Sequence, residues 1–505
     1  MKKYSALILS AFLSSLPFIF PNTFFLTLIF PSVLFFFVFT SSKKECVKYT
    51  FVWSFVYYLV VYSFFISLYP LDFAGLSNIA SVGVVLLGMV GVSLVHSAEI
   101  TLVFAIAKRF CKNTDVFSAL FYSCAFVLGE YIQSLGFLGF AWANVFLTQY
   151  KFLPFIQSAS LFGNYFVSFI IVFISSLNAL FFIKRKKSIL VFSISLFILN
   201  CLFGVVTMRV GVQSNKTVDV AIIQPSIVTG EKWDTSKGKT LFELHMALTQ
   251  ECKDADMILW PETAVSHEIC ESEEELDAVK AFTKERENTL VVGTFLSQGD
   301  KIYNSAIPFE KGIMTSPYFK RRLVPFGEYV PAREFFETFL PFITDINMLS
   351  YDLSAGQETN VFDTSFGKVG ALICFDSIFP NLARESVRDG AELLAIITND
   401  SWYKDSKALS HHNAQAVFRA VENRRWVVRC ANTGISSFID PFGRVVYETD
   451  PYEQVSHTES VELVREKTLF VLTGNVFVVF LLIYYVAFCV NSKVRKTKKS
   501  DCLKG

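Results

Sequence analysis

Seven apolar runs crowd the first 207 residues of this chain and an eighth lies near its end, while residues 213–465 have ordinary globular composition. That division limits the fold more than any single motif does. A bilayer core about 30 Å thick takes about 20 mostly apolar residues to cross as a helix. The runs at 5–20, 23–40, 49–69, 80–107, 115–133, 155–183, 188–207 and 468–490 are read as spans on that ground. They account for a chain that is 52% hydrophobic and only 18% charged, with 55 Phe, the composition of a polytopic membrane protein. The first run follows Lys2 and Lys3 as a signal peptide would, but no small-x-small cleavage site follows. The second run begins at once, after Pro21-Asn22, so the first reads as a retained anchor.

Eight spans put both ends on one side, and lysine and arginine choose that side. Lys2-Lys3, Lys43, Lys44 and Lys48, Lys108, Arg109 and Lys112, the stretch 184–187 and the tail from Lys493 would share a face with eighteen basic residues. The short loops on the other face hold only Lys151. The positive-inside rule then predicts cytoplasmic termini and a polar domain outside the inner membrane. A net charge of +1, with no basic stripe interleaved with aromatics, argues against a nucleic-acid binder.

Within the polar domain, 218–224, 257–260, 290–295, 369–374 and 393–398 read as buried strands, and 426–432, 436–440 and 444–448 as closing strands. Residues 272–287 and 409–424 read as amphipathic helices, the first opened by a Ser272/Glu275 capping box. Residues 302–309 and 313–320 read as a hairpin through Glu310-Lys311-Gly312. Strands and helices in this mixture predict an α/β domain of layered sheets covered by helices. The ten cysteines show no metal-ligand spacing; Cys252 and Cys270 are a possible disulfide pair in an oxidising compartment.

Three motifs carry candidate chemistry: Leu259-Trp260-Pro261-Glu262, Lys320-Arg321-Arg322-Leu323-Val324-Pro325-Phe326-Gly327-Glu328, and Leu372-Ile373-Cys374-Phe375-Asp376. A thiol that attacks an acyl carbon needs a base to take its proton and a cation or N–H groups to hold the oxyanion. Cys374 stands where a buried strand meets a helix start, which offers backbone N–H groups. Each motif alone has a bland reading: an inert buried Cys, a solvent-facing Glu, a solvated basic edge. Their order and flanks together reverse that. His411 and His412 invite a Cys–His alternative, but adjacent histidines opening a helix more often cap it or face solvent. No HExxH, P-loop or dinucleotide fingerprint occurs, so neither metal nor cofactor is expected.

With these motifs the sequence resembles the carbon–nitrogen hydrolase (nitrilase) superfamily and, within it, the membrane branch of apolipoprotein N-acyltransferases. The resemblance rests on Trp260-Pro261-Glu262 and on the run Leu323 to Pro331. It implies an α-helical transmembrane bundle of about eight spans, seven of them over 1–212, a nitrilase-like αββα sandwich over 213–465, and a final span with a basic cytoplasmic tail over 466–505. It implies that Glu262 is general base, Lys320 holds the tetrahedral intermediate, Cys374 is acylated and Glu328 assists. Trp233 resembles a family tryptophan on a loop near the site. Asn399-Asp400-Ser401-Trp402 and the set Arg429, Asn432, Gly434 and Ser436 resemble further family segments. Glu130 and Gly139-Phe140-Ala141-Trp142 resemble a pattern beside the substrate entrance, and an intramembrane Glu is a functional candidate by default. Phe375 and Asp376 depart from the family's Tyr-Glu, and Tyr403-Lys404-Asp405 lacks the family's glycine.

The implied reaction is ping-pong N-acylation of a lipoprotein's diacylglyceryl-cysteine from a phospholipid donor, through a Cys374 thioester, by a monomer in the bacterial inner membrane. A raised Glu262 pKa is expected to suit both proton transfers. The rivals are a membrane-tethered nitrilase-type hydrolase using water and a non-catalytic membrane scaffold.

Overall fold

The computed structural model describes residues 2–71, 76–136, 139–339 and 351–501; Cys502 and the basic side chains beyond Lys493 lie outside the described residues. The chain forms two compact units. One comprises Met1–Ile66, Gly83–Val210 and Thr473–Gly505, the other Ser67–Val82 and Gly211–Leu472.

The first unit is helical. Helices α1 (Lys2–Ile19), α2 (Phe25–Ile29), α3 (Pro31–Thr40), α4 (Lys43–Val61), α5 (Asn78–Phe110) and α6 (Val116–Ile132) lead to two short helices, α7 (Leu153–Ile156) and α8 (Ala159–Phe162). Helices α9 (Asn164–Lys184) and α10 (Lys187–Val210) follow. Helix α9 is the hub and packs on α3, α6 and α10. Small hydroxyl residues let the helices approach and bond across the seam: Ser176 Oγ lies 3.0 Å from Ser123 Oγ of α6, and Ser175 Oγ donates to the Leu28 carbonyl. By length and composition, six helical segments among the described residues can cross a membrane: Pro21–Thr40, Lys43–Leu68, Asn78–Phe110, Asn164–Lys184, Lys187–Val210 and Val476–Lys493. Two of the eight expected spans fall short. Helix α1 begins at Lys2 and so carries both lysines within its 18 residues; α6 has 17 residues, about 26 Å at 1.5 Å per residue. The run expected at 155–183 is broken where Gly163 takes φ +79°, so α9 starts afresh at Asn164. Glu130 and Trp142, the candidate membrane-side contacts, are both buried inside this unit. Glu130 Oε1 accepts from the Val145 N–H at 2.6 Å, and Trp142 stacks on Phe140.

The second unit is a four-layer αββα sandwich. One sheet runs β13-β1-β2-β3-β4-β5, with β6 also on β4; the other runs β12-β11-β10-β9-β8-β7. The strands are β1 (Ser214–Gln224), β2 (Met257–Leu259), β3 (Thr289–Gln298), β4 (Lys301–Glu310), β5 (Ile313–Met314), β6 (Tyr318–Phe319) and β7 (Phe362–Asp363). Then come β8 (Lys368–Ile373), β9 (Leu393–Thr398), β10 (Val427–Ala431), β11 (Ser437–Ile439), β12 (Val445–Glu448) and β13 (Val455–Val464). Alternation along each strand sorts side chains between layers. Val218, Val220 and Ile222 join Met257, Leu259, Val369, Ala371 and Ile397 between the sheets. Ala221 and Ile223 join Ile258, Trp260 and Leu290 on the opposite face.

That opposite face lies under α12 (Gly238–Glu251), which follows the single turn α11 (Thr229–Lys232), and α13 (Glu273–Arg286). After α14 (Arg333–Phe339), helices α15 (Pro380–Arg388) and α16 (Lys407–Asn423) cover the second sheet. The last elements are α17 (Leu469–Thr473) and α18 (Val476–Asp501), the latter part of the first unit.

The expected hairpin forms, with Phe309 opposite Met314, although its second arm is split into β5 and β6. The capping box at α13 is half made. Ser272 accepts from the Glu275 N–H, but the Glu275 carboxylate turns to His267 Nε2 at 2.8 Å. Cys252 and Cys270 are free, the first buried and the second exposed. The sequence reading passed over β13, α12 and α15.

Candidate active site

The three motif residues follow the ends of β2, β6 and β8, where an open α/β sheet presents its loops for chemistry. Glu262 is held by donors on every side. Its Oε1 accepts from Lys320 Nζ at 2.9 Å and from Asn304 Nδ2 at 2.7 Å; its Oε2 accepts from the Asn399 N–H at 2.8 Å. Lys320 Nζ also donates to Glu328 Oε1 at 2.9 Å, and Asn304 Nδ2 spans both carboxylates. Glu328 Oε2 takes the Val324 N–H, which closes its own loop. Lys320 is thus a buried ammonium between two carboxylates, and its pKa lies well above the ordinary value: burial pulls it down, but Glu262 and Glu328 outweigh that.

Glu262 departs from expectation. Burial pushes its pKa up, but the Lys320 charge and its hydrogen bond, with Lys232 and Asn304, bring it below the ordinary value. The raised pKa read from sequence is therefore corrected: a buried carboxylate at contact distance from an ammonium stays ionised.

Cys374 caps β8 with φ +49°, a left-handed conformation that costs a non-glycine residue about 1–2 kcal/mol. Such strain is held where the surrounding structure fixes it, and the Cys374 side chain, partly buried, packs against the core between the two sheets. Burial, then the Glu262 charge, push the thiol pKa up, against the pull of Lys320 and of the nearby Thr398 hydroxyl. The resting pair is therefore a neutral thiol and a carboxylate, the state in which the carboxylate can serve as base.

Asp376 fastens the elbow to the lysine strand. Fully buried, it accepts from the Ile373 N–H, from Tyr318 Oη at 2.9 Å, and from the Arg321 and Arg322 N–H groups at 3.2 and 2.7 Å. The shorter acidic arm after the cysteine is thus a cross-brace between the Cys374 and Lys320 loops. Phe375 is buried and packs edge-on against Phe379. Trp233 lies near Phe295, with ring centroids 6.3 Å apart, directly after Lys232.

Sequence reasoning passed over Lys232, Asn304 and Tyr318 as site residues, and placed Asn399 only in a family-like segment without a role. Lys232 is buried and donates to the Glu262 carbonyl at 2.7 Å; burial, opposed by Glu262 and Cys374, lowers its pKa to about 7. The Glu231-Lys232-Trp233 stretch carried a signal for the tryptophan alone. Asn304 becomes visible only through sheet register, because β4 pairs with β6 and the Lys320 N–H donates to the Asn304 carbonyl.

The weaker motif matches assemble behind the cysteine. Arg429 Nη2 donates to Asp400 Oδ2, and Asn432 Nδ2 to Asn399 Oδ1 at 3.1 Å. A Cβ on Gly434 would lie 2.6 Å from Asp400 Oδ2, so no larger residue fits there undisturbed. His411 and His412, read from sequence as capping or solvent-facing, are instead buried. The N-cap of α16 is Ser406, further upstream, which leaves both imidazoles to the packed interior. Ligating atoms of Cys374, Asp400 and His412 lie within 4.8 Å of one another. The Arg429 cation on Asp400 opposes a second cation at that trio.

The turn without its expected glycine is kept at a cost: Lys404 takes φ +47° and ψ −155°, a glycine-like conformation. Lys404→Gly is expected to stabilise this unit by about 1 kcal/mol, the low end for relief of one strained residue. Lys404→Ala, which keeps the strain, should not. Thermal unfolding of the two variants beside wild type checks this.

Comparison with known proteins fits both units. Residues 219–466 match the carbon–nitrogen hydrolase family and residues 10–177 the apolipoprotein N-acyltransferase N-terminal domain. The apolipoprotein N-acyltransferase of Geobacter metallireducens is 33% identical, covering 69% of this chain and 69% of its own. That of Thermotoga maritima is 32% identical over 68% of this chain and 65% of its own, and that of Rickettsia typhi 31% over 75% and 78%.

Proposed function

The chain belongs to the apolipoprotein N-acyltransferase family of acyltransferases, and from that premise we propose that it transfers a phospholipid acyl chain through Cys374 to the α-amine of a lipoprotein's diacylglyceryl-cysteine. The observation that carries this reading is the ionised Glu262, clamped by Lys320, in electrostatic reach of a strained, protonated Cys374.

In the first half-reaction Glu262 takes the thiol proton as sulfur attacks the ester carbonyl. Lys320 and a backbone N–H at the elbow hold the oxyanion. The tetrahedral intermediate collapses by breaking the C–O bond, and the lysophospholipid oxygen leaves with the proton from Glu262. In the second half-reaction the amine attacks the thioester, Glu262 accepts a proton from the nitrogen, and the thiolate leaves and is reprotonated. Ion-pairing keeps Glu262 charged before each attack, as a base must be. The basic loops favour a topology with cytoplasmic termini and the sandwich on the periplasmic face of the inner membrane.

Intact-mass analysis after incubation with phospholipid vesicles tests the reading. Wild type is expected to gain one acyl mass and Cys374→Ala none. Subsequent addition of a diacylated lipopeptide should remove that mass and yield the triacylated product. Release of free fatty acid in its place would make the protein a hydrolase, and an unlabelled wild type would refute the thioester.

A further inference from the structure

One buried cluster behind the nucleophile is not used by the chemistry above. The Cys374 carbonyl, turned inward by the left-handed elbow, accepts from Ser377 Oγ at 2.7 Å and lies 3.2 Å from His412 Nε2. His412 Nε2 is also 2.9 Å from Ser377 Oγ. A carbonyl can only accept, so the tautomer that serves this corner carries its proton on Nε2. On the far side of the ring, Nδ1, unprotonated in that tautomer, accepts from Arg429 Nη2 at 3.0 Å; Asp400 Oδ1 lies 2.8 Å from Nδ1 and is held there by Arg429 and Thr398, not by the ring. Asp400 is gripped in turn by Arg429, by Thr398 Oγ1 at 3.1 Å and by the close approach of Gly434. Arg429 Nε is anchored on the Ile435 carbonyl. The ring, Asp400 and Arg429 are all fully buried, and the cluster joins β10, the loop after β9 and α16 to one peptide.

We propose that His412, backed by Arg429, which Asp400 in turn pairs, is a positioning residue that fixes the Cys374 peptide in its left-handed conformation, so that the thiol is aimed before the acyl donor arrives. The strain at Cys374 makes such a device necessary. A non-glycine residue relaxes out of φ +49° unless its carbonyl or N–H is held. Two donors on one carbonyl, Ser377 Oγ and His412 Nε2, the second backed by Arg429, hold it. Burial first, then Arg429, lower the pKa of the ring, and Nε2 lies within hydrogen-bond distance of the Cys374 carbonyl and of Ser377 Oγ. His412 thus acts through the backbone of residue 374, and Glu262 remains the base.

The inference rests on the acyl-transfer reading, so its test uses two readouts. The first is acyl-enzyme formation from phospholipid vesicles, followed by intact mass and normalised to folded protein. His412→Ala is expected to lower the first-order rate about 100-fold, the loss that a displacement of about 1 Å brings. The half-saturating lipid concentration should be unchanged. His412→Gln, whose Nε2–H reaches the same oxygens, should recover most of the rate. An unchanged rate in His412→Ala, or a Gln variant no better than Ala, overturns the proposal.

The second readout, alkylation of Cys374 by iodoacetamide, needs no lipid. A rate at least tenfold different from wild type is expected for His412→Ala, and equal rates overturn the proposal. If wild type forms no acyl-enzyme, the proposed function fails while the alkylation rates still decide the role of His412. Should His412→Ala not fold, Ser377→Ala decides both readouts: it removes one of the two donors, and unchanged rates there refute the device.

Discussion

Glu262→Gln is expected to slow acyl-enzyme formation by about 10²–10⁴-fold, the range for loss of a positioned general base. The substitution keeps the shape of the side chain and removes its charge. Every atom now facing the Glu262 carboxylate is a donor: Lys320 Nζ, Asn304 Nδ2 and the Asn399 N–H. A glutamine must turn its own NH₂ toward one of them, leaving a buried donor unmet at about 1–3 kcal/mol. Lys320 keeps Glu328 as partner, so the ammonium is not left alone. Loss of rate well beyond loss of stability is therefore expected, and single-turnover mass kinetics beside thermal unfolding separates the two. A variant within tenfold of wild type would assign proton abstraction to another group.

The same site fixes a pH dependence. The folded-state pKa of Glu262 is lowered from the ordinary 4.5, because the Lys320 pair outweighs burial. A depressed carboxyl pKa stabilises the fold above the unfolded value and loses that contribution as pH falls through the folded one. The Glu262-dependent loss of acylation on acidification is thus expected below pH 4.5, and Glu262→Gln should flatten that limb of the rate profile.

Gly293→Ala is the second large effect, and it arises on strand β3, outside the three motifs. A Cβ at Gly293 would stand 2.1 Å from the Pro261 carbonyl oxygen and 2.9 Å from Glu262 Cα, both backbone. No side-chain rotation relieves that overlap, so β3 and the Pro261-Glu262 turn must separate. Overpacking of a close-packed interior costs about 1–3 kcal/mol. A shift of the carboxylate by about 1 Å costs about 100-fold in rate. Both are expected in Gly293→Ala: a lower unfolding midpoint and, per folded molecule, acyl-enzyme formation down about 100-fold. A folded variant with full activity would show that the Glu262 turn tolerates movement.

What could be read along the chain was what local chemistry dictates. Strand β9 lies at 393–398, as its unbroken apolar run predicts, because a strand covered on both faces has no polar side to show. The α13 cap at Ser272 and the Glu310-Lys311-Gly312 turn were legible because caps and turns are settled within four residues. The Trp260-Pro261-Glu262 and Lys320-to-Glu328 motifs named candidate groups for the same reason: each is one short loop. Span breaks depended on a single φ, as at Gly163, and periodicity does not report it.

The sequence by itself therefore determined the two-part architecture, most strands and the identity of the groups offered for chemistry. Only the tertiary structure decided their ionisation and aim. Glu262 is charged because residue 320 and the backbone of residue 399 converge on it. The Cys374 peptide is flanked by an imidazole from residue 412 and braced through Asp376 to residues 321 and 322. Such contacts join positions tens to more than a hundred residues apart through sheet register and layer packing. A pKa or a strained dihedral is a property of that assembled surrounding, which no local stretch of sequence contains.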